Sequence, residues 1–249
     1  MPKKSASPLA PAQAATGRAR SRAVAVPARR ERDPAATQQA LLTAAVAEFA
    51  RAGFAGARVD EIARAAAVNK QLVYHYWGSK QGLYQVALES VYARIREKER
   101  QLSMAELGPV EAMEQLVGFS FDYLAQHPEF IAMLADENRN KGKHLLESGP
   151  LQKLHMPFVE MLETTLQRGV AAGLFRDDYD AIDLYISIAG ISYFFFSNNY
   201  TLSAIFGRKL GSRTALAQRR RHVIQFTLNA LRPDRASRPA KSTRPAAND

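Results

Sequence analysis

The sequence predicts an all-α protein, and two observations carry that prediction. Between residues 34 and 231 the apolar residues recur at spacings of three and four, the period of an amphipathic helix. The same stretch has no sustained alternation of apolar and polar residues and no Asn-Gly or Asp-Gly hairpin signal. With 249 residues, 47% of them hydrophobic, the chain can bury a substantial core.

Three short helices are expected first. The first begins near Thr37, carries Leu41 and Phe49 on its apolar face, and ends at Gly53, a residue type that commonly terminates helices. A second helix over 59–66 is followed by a tight connection and a third helix over 70–77. Two short helices joined by such a turn predict a helix-turn-helix unit.

The rest of the folded chain also shows helical periodicity. A long helix over 80–102 connects the first unit to further helices near 109–126, 128–140, 150–173, 179–199 and 212–231. Pro157 is expected to split or kink the 150–173 element, because proline removes a backbone donor inside a helix.

The net charge of +10 is unevenly distributed. Residues 1–33 carry +6 and residues 232–249 carry +3, whereas 34–100 carry +3 and 101–231 carry −2. Both ends are rich in Ala, Pro, Ser and Arg, a composition that predicts a disordered basic arm (1–33) and a disordered basic tail (232–249). The positive charge that could attract nucleic acid therefore lies in the tails and the first folded unit.

Several classes of protein are disfavoured by the composition. The chain has no cysteine, and its first 32 residues contain no apolar run of signal-peptide length, so a cytoplasmic location is expected. The most apolar stretch, 184–196, is too short to cross a bilayer, which needs about 20 residues. The five scattered histidines predict no metal site, and without catalytic or nucleotide-binding motifs neither an enzyme nor a cofactor is expected.

The third helix carries the chemistry that points to function. Its apolar residues, Val73 and Trp77, fall on one face, while Lys70 with Tyr74 and Gln71 with His75 form i,i+4 pairs on the opposite face. Lys and Gln hydrogen-bond base edges, and Tyr and His reach phosphates, so this row suits a DNA major groove.

The stretch 37–88 resembles the TetR-type helix-turn-helix. The resemblance rests on a Phe-x-x-x-Gly-Phe motif at 49–54, Ile62-Ala63, the aromatic run Tyr74-His75-Tyr76-Trp77, and Ser79-Lys80. It implies a DNA-binding domain over 34–95 with the helix-turn-helix at about 58–77. The DNA contacts carried over by the resemblance are Arg58, Asn69, Lys70, Gln71, Tyr74, His75 and Lys80. This sequence departs from the family pattern at Arg58, Ala67, Gln71 and Trp77, and Ala67, standing where glycine is usual, is expected to strain the turn.

The resemblance also implies that residues 96–231 form a helical ligand-binding and dimerisation domain. Candidate ligand-binding residues are mainly apolar with one carboxylate: Phe119, Tyr123, Met133, Asp136, Phe158, Met161 and Phe175. Each could equally be ordinary core. The helices near 179–199 and 212–231 are expected to pair with a second copy through Ile188, Ile191, Ser192, Phe195, Ile224 and Leu228.

The expected function is a ligand-responsive, sequence-specific repressor that binds a palindromic operator in double-stranded DNA as a homodimer, responds to a small-molecule effector and has no membrane partner. Two alternatives remain open. A nonspecific nucleic-acid-binding protein driven by the basic tails would show weak sequence preference. A helical enzyme or carrier would act on a ligand without any operator.

Overall fold

The computed structural model describes residues 33–233, without the side chains of 149–152. The expected arm and tail therefore lie outside the described residues, apart from Asp33 and the pair 232–233. The described part contains helices and no strand, which confirms the all-α prediction. In chain order its helices are α1 (Pro34–Gly56), α2 (Val59–Ala65), α3 (Gln71–Trp77), α4 (Lys80–Arg100), α5 (Pro109–Gln126), α6 (Pro128–Arg139), α7 (Lys143–Leu146), α8 (Gly149–Ala171), α9 (Ala181–Ser197), α10 (Asn199–Phe206) and α11 (Arg213–Leu231), with a 3₁₀ turn at Met104–Glu106.

Helix α1 has a capped N-terminus and a break in its helical geometry near its end, and both occur at residues that commonly play these roles. The Asp33 carboxylate accepts a hydrogen bond from the Ala35 amide at 2.9 Å, and Pro34 occupies the first turn, where its missing N–H is no loss. Leu41 and Phe49 are fully buried. The helix assignment continues to Gly56, but Gly53 has φ 67° and ψ 174°, so regular helical geometry breaks at the glycine where the sequence predicts the end.

The turn between α2 and α3 contains a strained residue. Ala67 has φ 53°, in the left-handed region that glycine adopts easily and alanine does not. The strain expected for alanine at this position is therefore present in the backbone. Ile62 on α2 and Val73 on α3 are both fully buried, and they hold the two short helices against the rest of the domain.

Helix α4 starts at a capped N-terminus. The Ser79 hydroxyl accepts a hydrogen bond from the Gly82 amide at 3.0 Å. Leu83, Ala87 and Val91 face inward, all at most 1% exposed. Only two residues, Gly78 and Ser79, separate the end of α3 from the start of α4, and both helices pack into the same core.

The later helices match the predicted ones closely, with two exceptions. The short helices α7 and α10 were not predicted, and α8 runs through Pro157 as a single helix, so the expected split does not occur. Past α8, the ring of Phe175 lies so close to Gly169 that a Cβ there would be 1.9 Å from a ring carbon. Only glycine fits at this position.

Two hydrophobic cores organise the fold. One joins α1–α4 to α6: Leu41, Phe49 and Leu83 share it with Phe130 and Met133. The other is built from α5, α8, α9 and α11. Helix α6, from the half of the chain expected to bind ligand, therefore packs directly against the first helices. Within residues 33–233, no helix is both long and apolar enough to cross a membrane.

Candidate DNA-binding surface and effector domain

Helix α3 presents its polar face to solvent. Val73 is fully buried, and Leu72, Tyr76 and Trp77 pack half-buried against the first core. Gln71, Tyr74 and His75 are exposed, with Tyr74 50% accessible, as is Lys70 just before the helix. The apolar face of the helix is thus packed against the core, and a row of hydrogen-bonding groups on the opposite face is exposed to solvent, as the sequence predicts.

Lys70 has a partner that the sequence did not suggest. Its Nζ lies 2.9 Å from the Asp60 carboxylate of α2, and the hydrogen bond and charge of Asp60 raise the pKa of Lys70. Both side chains are more than half exposed, so the pair contributes little to stability. Lys70 can therefore leave Asp60 for a base edge or a phosphate at small cost.

Asn69 has a structural contact. Its side-chain oxygen accepts a hydrogen bond from the Gln71 amide at 2.9 Å, which satisfies one of the unpaired donors at the start of α3. The oxygen is therefore engaged in the turn, and its side-chain amide donors are the groups available to DNA.

Arg58 and Lys80 flank α3 on neighbouring elements. Arg58 sits at the N-cap of α2, makes no side-chain cap, and is exposed, while its backbone N–H donates to Glu48 at 3.2 Å. Lys80 is half-buried: its Nζ donates to the Ala55 carbonyl at 3.3 Å and lies 5.1 Å from the centre of the Phe54 ring. Arg58 is thus the more accessible cation of the two.

Asp136 connects the effector domain to the first helices. One oxygen accepts hydrogen bonds from the Phe54 amide at 2.7 Å and the Tyr84 hydroxyl at 3.0 Å, and the other accepts from Arg139 at 2.7 Å. Burial, followed by the hydrogen bond to Asp136, raises the pKa of Tyr84. The buried carboxylate therefore already has a set of protein donors from α1, α4 and α6.

The other candidate ligand residues divide between the two cores. Tyr123 and Met133 belong to the first core, with Phe119 packed against it, whereas Phe158 and Phe175 belong to the second. Phe158 and Met161 line one cavity of about 170 Å³.

That cavity lies where the end of α4 meets α8. Its wall includes Arg96, Glu99 and Arg100 from α4, and Lys153, Leu154, Pro157, Phe158 and Met161 from α8. Arg96 and Glu99 are 3% and 2% exposed. Burial raises the pKa of Glu99 to about 7, although the nearby charge of Arg96 acts in the opposite direction.

The exposed apolar face of α9 and α11 differs from the one selected from the sequence. Ile188, Ser192, Phe195, Ile224 and Leu228 are buried in the chain's own core, and Ile191 is half-buried. The apolar side chains left in solvent on these helices are Ile182, Ile186, Phe194 and Phe226, each 53–59% exposed. On α9 and α11, these exposed side chains and half-buried Ile191 are therefore the apolar groups free to contact a second copy, and the interface residues stay a prediction.

Comparison with known proteins identifies the family. Residues 41–87 match the description "Bacterial regulatory proteins, tetR family", and residues 109–226 match "Tetracyclin repressor-like, C-terminal domain". The HTH-type transcriptional repressor NicS of Pseudomonas putida is 36% identical over 196 residues, which cover 79% of this chain and 92% of NicS. The chain belongs to the TetR family.

Further relatives of this TetR-family regulator agree. The HTH-type transcriptional repressor SCO4008 of Streptomyces coelicolor is 42% identical over 113 residues, 45% of this chain and 54% of the relative. The solved structure of the transcriptional regulator SCO4942 from the same species has a TM-score of 0.59 at 28% identity, covering 79% of this chain and 99% of that one. FadR of Bacillus subtilis, solved with stearoyl-CoA, has a TM-score of 0.60 at 15% identity over 78% of this chain and 99% of its own, and so shows a shared fold alone.

These matches confirm the predicted family and its function as a ligand-responsive, DNA-binding transcriptional regulator with an N-terminal helix-turn-helix and a helical C-terminal domain. The individual DNA, ligand and interface residues stay predictions. Sequence reasoning did not select Arg96 or Glu99 as candidate site residues. The inward positions Val91 and Ile95 continue to Glu99 at the same spacing of four, and that signal could have placed the carboxylate on the buried face.

Proposed function

We propose that this regulator binds a palindromic operator as a cytoplasmic homodimer, with α3 of each copy in a major groove, and that a small molecule in the helical domain releases it from DNA. The observation that carries the proposal is the orientation of α3, which buries Val73 and exposes Gln71, Tyr74 and His75. A two-fold dimer presents two such helices, so its operator has two related half-sites. No catalytic step is part of this proposal.

The exposed groups divide into two roles. Gln71 and Lys70 lie at the start of α3, where side chains reach base edges, so they select sequence. Arg58 and the residues farther along α3, Tyr74 and His75, contact the phosphate backbone and carry no sequence information themselves. Repression follows from occupancy of the operator.

The first experiment selects bound duplexes from a random pool and compares variants on the best one. Gln71→Ala is expected to weaken that operator by roughly 1–3 kcal/mol and to relax base preference at one position of each half-site. Gln115→Ala, an exposed glutamine on α5, is the matched control and should bind as the unmodified protein does. Retention of full affinity and preference by Gln71→Ala would show that α3 does not read the operator through this residue.

Phosphate contacts have a different signature. Arg58→Ala, or deletion of residues 1–30, is expected to weaken operator and scrambled duplexes alike. Either change should also flatten the plot of log affinity against log salt, by about 0.9 for each phosphate that the protein no longer neutralises. Loss of operator preference on arm deletion, with preference intact in Gln71→Ala, would favour the nonspecific, tail-driven alternative.

The dimer is proposed to form through the exposed apolar residues of α9 and α11, because a cluster of large apolar side chains on the surface commonly marks an interaction site. Phe194→Asp and Phe226→Asp should each shift the protein toward monomer, measured by light scattering. Leu146→Asp, at an 81% exposed leucine on α7, is the matched control and should leave the mass unchanged. An intact dimer in both phenylalanine variants would place the interface elsewhere.

Coupling between effector and operator is proposed to run through α4. This helix follows α3 at one end and lines the cavity with Arg96 and Glu99 at the other, and α6 is tied to it by the Asp136–Tyr84 hydrogen bond. Thermodynamic reciprocity requires the operator to change effector affinity by the same factor by which the effector changes operator affinity. An effector that binds equally well with and without operator would rule out this coupling for that compound.

A further inference from the structure

The end of α4 contains a buried ion pair whose hydrogen bonds are incomplete. Arg96 Nη1 lies 2.9 Å from Glu99 Oε2, yet neither atom makes a hydrogen bond, and Arg96 Nε has no partner either. Among the described residues, the one hydrogen bond of the guanidinium is from Nη2 to the Tyr185 hydroxyl at 3.3 Å. Buried polar atoms left without partners are costly, and a buried ion pair is worth keeping only when further hydrogen bonds complete it.

Stability alone does not account for this pair, since an apolar pair of similar volume would commonly be as stable or more so. Arg96 and Glu99 lie in the wall of the cavity between α4 and α8 rather than in solid core. Unsatisfied donors and an adjacent space together indicate a site that a ligand completes.

The charges around the cavity favour an anion. Arg96, Arg100 and Lys153 line it against the single carboxylate of Glu99, although Arg100 also forms an exposed ion pair with Glu97. Burial raises the pKa of Glu99 to about 7, so this carboxylate gives up its charge readily when a second negative group approaches. A guanidinium binds a carboxylate through paired hydrogen bonds better than it binds any neutral acceptor.

The size and walls of the cavity limit the ligand further. Its volume is about 170 Å³, smaller than drug-binding pockets and close to the size of engineered cavities of about 150 Å³ that hold one benzene ring. Phe158, Met161 and Pro157 supply apolar surface, and the Arg96 guanidinium lies 4.5 Å from the centre of the Phe158 ring.

We propose that this cavity is the effector site and that it binds a small carboxylate with a single ring, its carboxylate on Arg96 and its ring against Phe158 and Met161. The assignment rests on the proposed function, because it names the effector class of the same domain. Binding replaces the incomplete Arg96–Glu99 contact with a hydrogen-bonded one, and the change occurs on the helix that directly follows α3.

The test uses the full-length protein and titration calorimetry with benzoate and phenylacetate as probes, benzamide as the neutral analogue and benzylammonium as the cation. Both carboxylates are expected to bind with dissociation constants in the millimolar range or tighter. Benzamide should bind at least about tenfold more weakly, and benzylammonium should give no signal. Equal binding of benzoate and benzamide, preference for the cation, or no binding of either carboxylate would overturn the proposal.

Variants connect the binding to Arg96. Arg96→Met should weaken benzoate at least about tenfold, whereas Arg94→Met, which removes a 47% exposed arginine of the same helix outside the cavity, should not. Because Arg96→Met leaves Glu99 buried and unpaired, Arg96→Met/Glu99→Gln removes both charges and should melt no lower than the unmodified protein while still losing benzoate. Unchanged benzoate affinity in the double variant would overturn the assignment.

Operator binding separates this inference from the proposed function. Benzoate binding that depends on Arg96, with no effect of benzoate on operator affinity, would show a carboxylate site that is not the effector site; it would overturn this assignment and leave operator reading through α3 untouched. Operator release by benzoate that persists in Arg96→Met/Glu99→Gln would support an effector response and refute this cavity as its site.

Discussion

Replacing Asp136 tests the contact between the effector domain and the DNA-binding helices. The carboxylate is 6% exposed and accepts hydrogen bonds from the Phe54 amide of α1 and the Tyr84 hydroxyl of α4. Asp136→Ala leaves both donors without a protein acceptor, at about 1–3 kcal/mol each, so the free energy of unfolding should fall by roughly 2–6 kcal/mol. Asp136→Asn keeps one acceptor but loses the charge, and should cost about 2 kcal/mol, since hydrogen bonds to charged groups exceed neutral ones by about 1 kcal/mol.

The assay is urea unfolding at one fixed protein concentration, because the proposed dimerisation would make apparent stability depend on concentration. Asp122→Ala is the matched control: its ion pair with Arg220 is about 40% exposed on both sides, and its loss should cost no more than about 1 kcal/mol. Tyr84→Phe in a double-mutant cycle with Asp136→Asn should show coupling of about 0.5–3 kcal/mol. A loss below about 1 kcal/mol in Asp136→Ala would mean that both donors find other acceptors, and the reasoning would be wrong.

Three further predictions concern backbone strain and charge. Ala67→Gly should stabilise the protein by about 1 kcal/mol because it relieves the left-handed φ of 53°, whereas Ala66→Gly, at φ −79°, should destabilise it by a similar amount. Gly53→Ala should cost more than about 2 kcal/mol, since φ is +67° and the new Cβ would lie 2.6 Å from a carboxylate oxygen, whereas Gly56→Ala meets only ordinary contacts. Glu99→Gln should gain stability relative to the unmodified protein as pH rises from 4.5 through about 7, by no more than about 3 kcal/mol.

The sign of the pH effect follows from the raised pKa of Glu99. The folded state holds the Glu99 proton more tightly than the unfolded state does, so the stability that this proton contributes is fully present below pH 4.5 and is lost as the pH rises to the folded pKa of about 7. Thermal melts of both proteins across this range measure the difference. If Glu99→Gln melts with the same pH dependence as the unmodified protein, that dependence comes from other groups. If Ala66→Gly and Ala67→Gly change the stability equally, the turn at Ala67 is not strained.

The sequence by itself determined the helical fold, the family and the orientation of α3. These depend on local and periodic information: Gly53 where α1 breaks, Ser79 as the cap of α4, and Val73 opposite the row of Gln71 and His75. Such signals act within one or two helical turns, so they can be recognised without knowing what each helix packs against. The short helices α7 and α10 were not predicted from the sequence because a helix of one or two turns has too little periodicity to detect.

Only the tertiary structure decided which apolar face is core and which is surface. Helix α9 is apolar around most of its circumference, so its sequence does not distinguish Phe195, which packs inside, from Phe194, which faces solvent. The same holds for Arg96 and Glu99, charged residues that the position of α8 buries beside a cavity. Burial depends on which distant segments approach a residue, and that is a property of the assembled helices rather than of the local sequence.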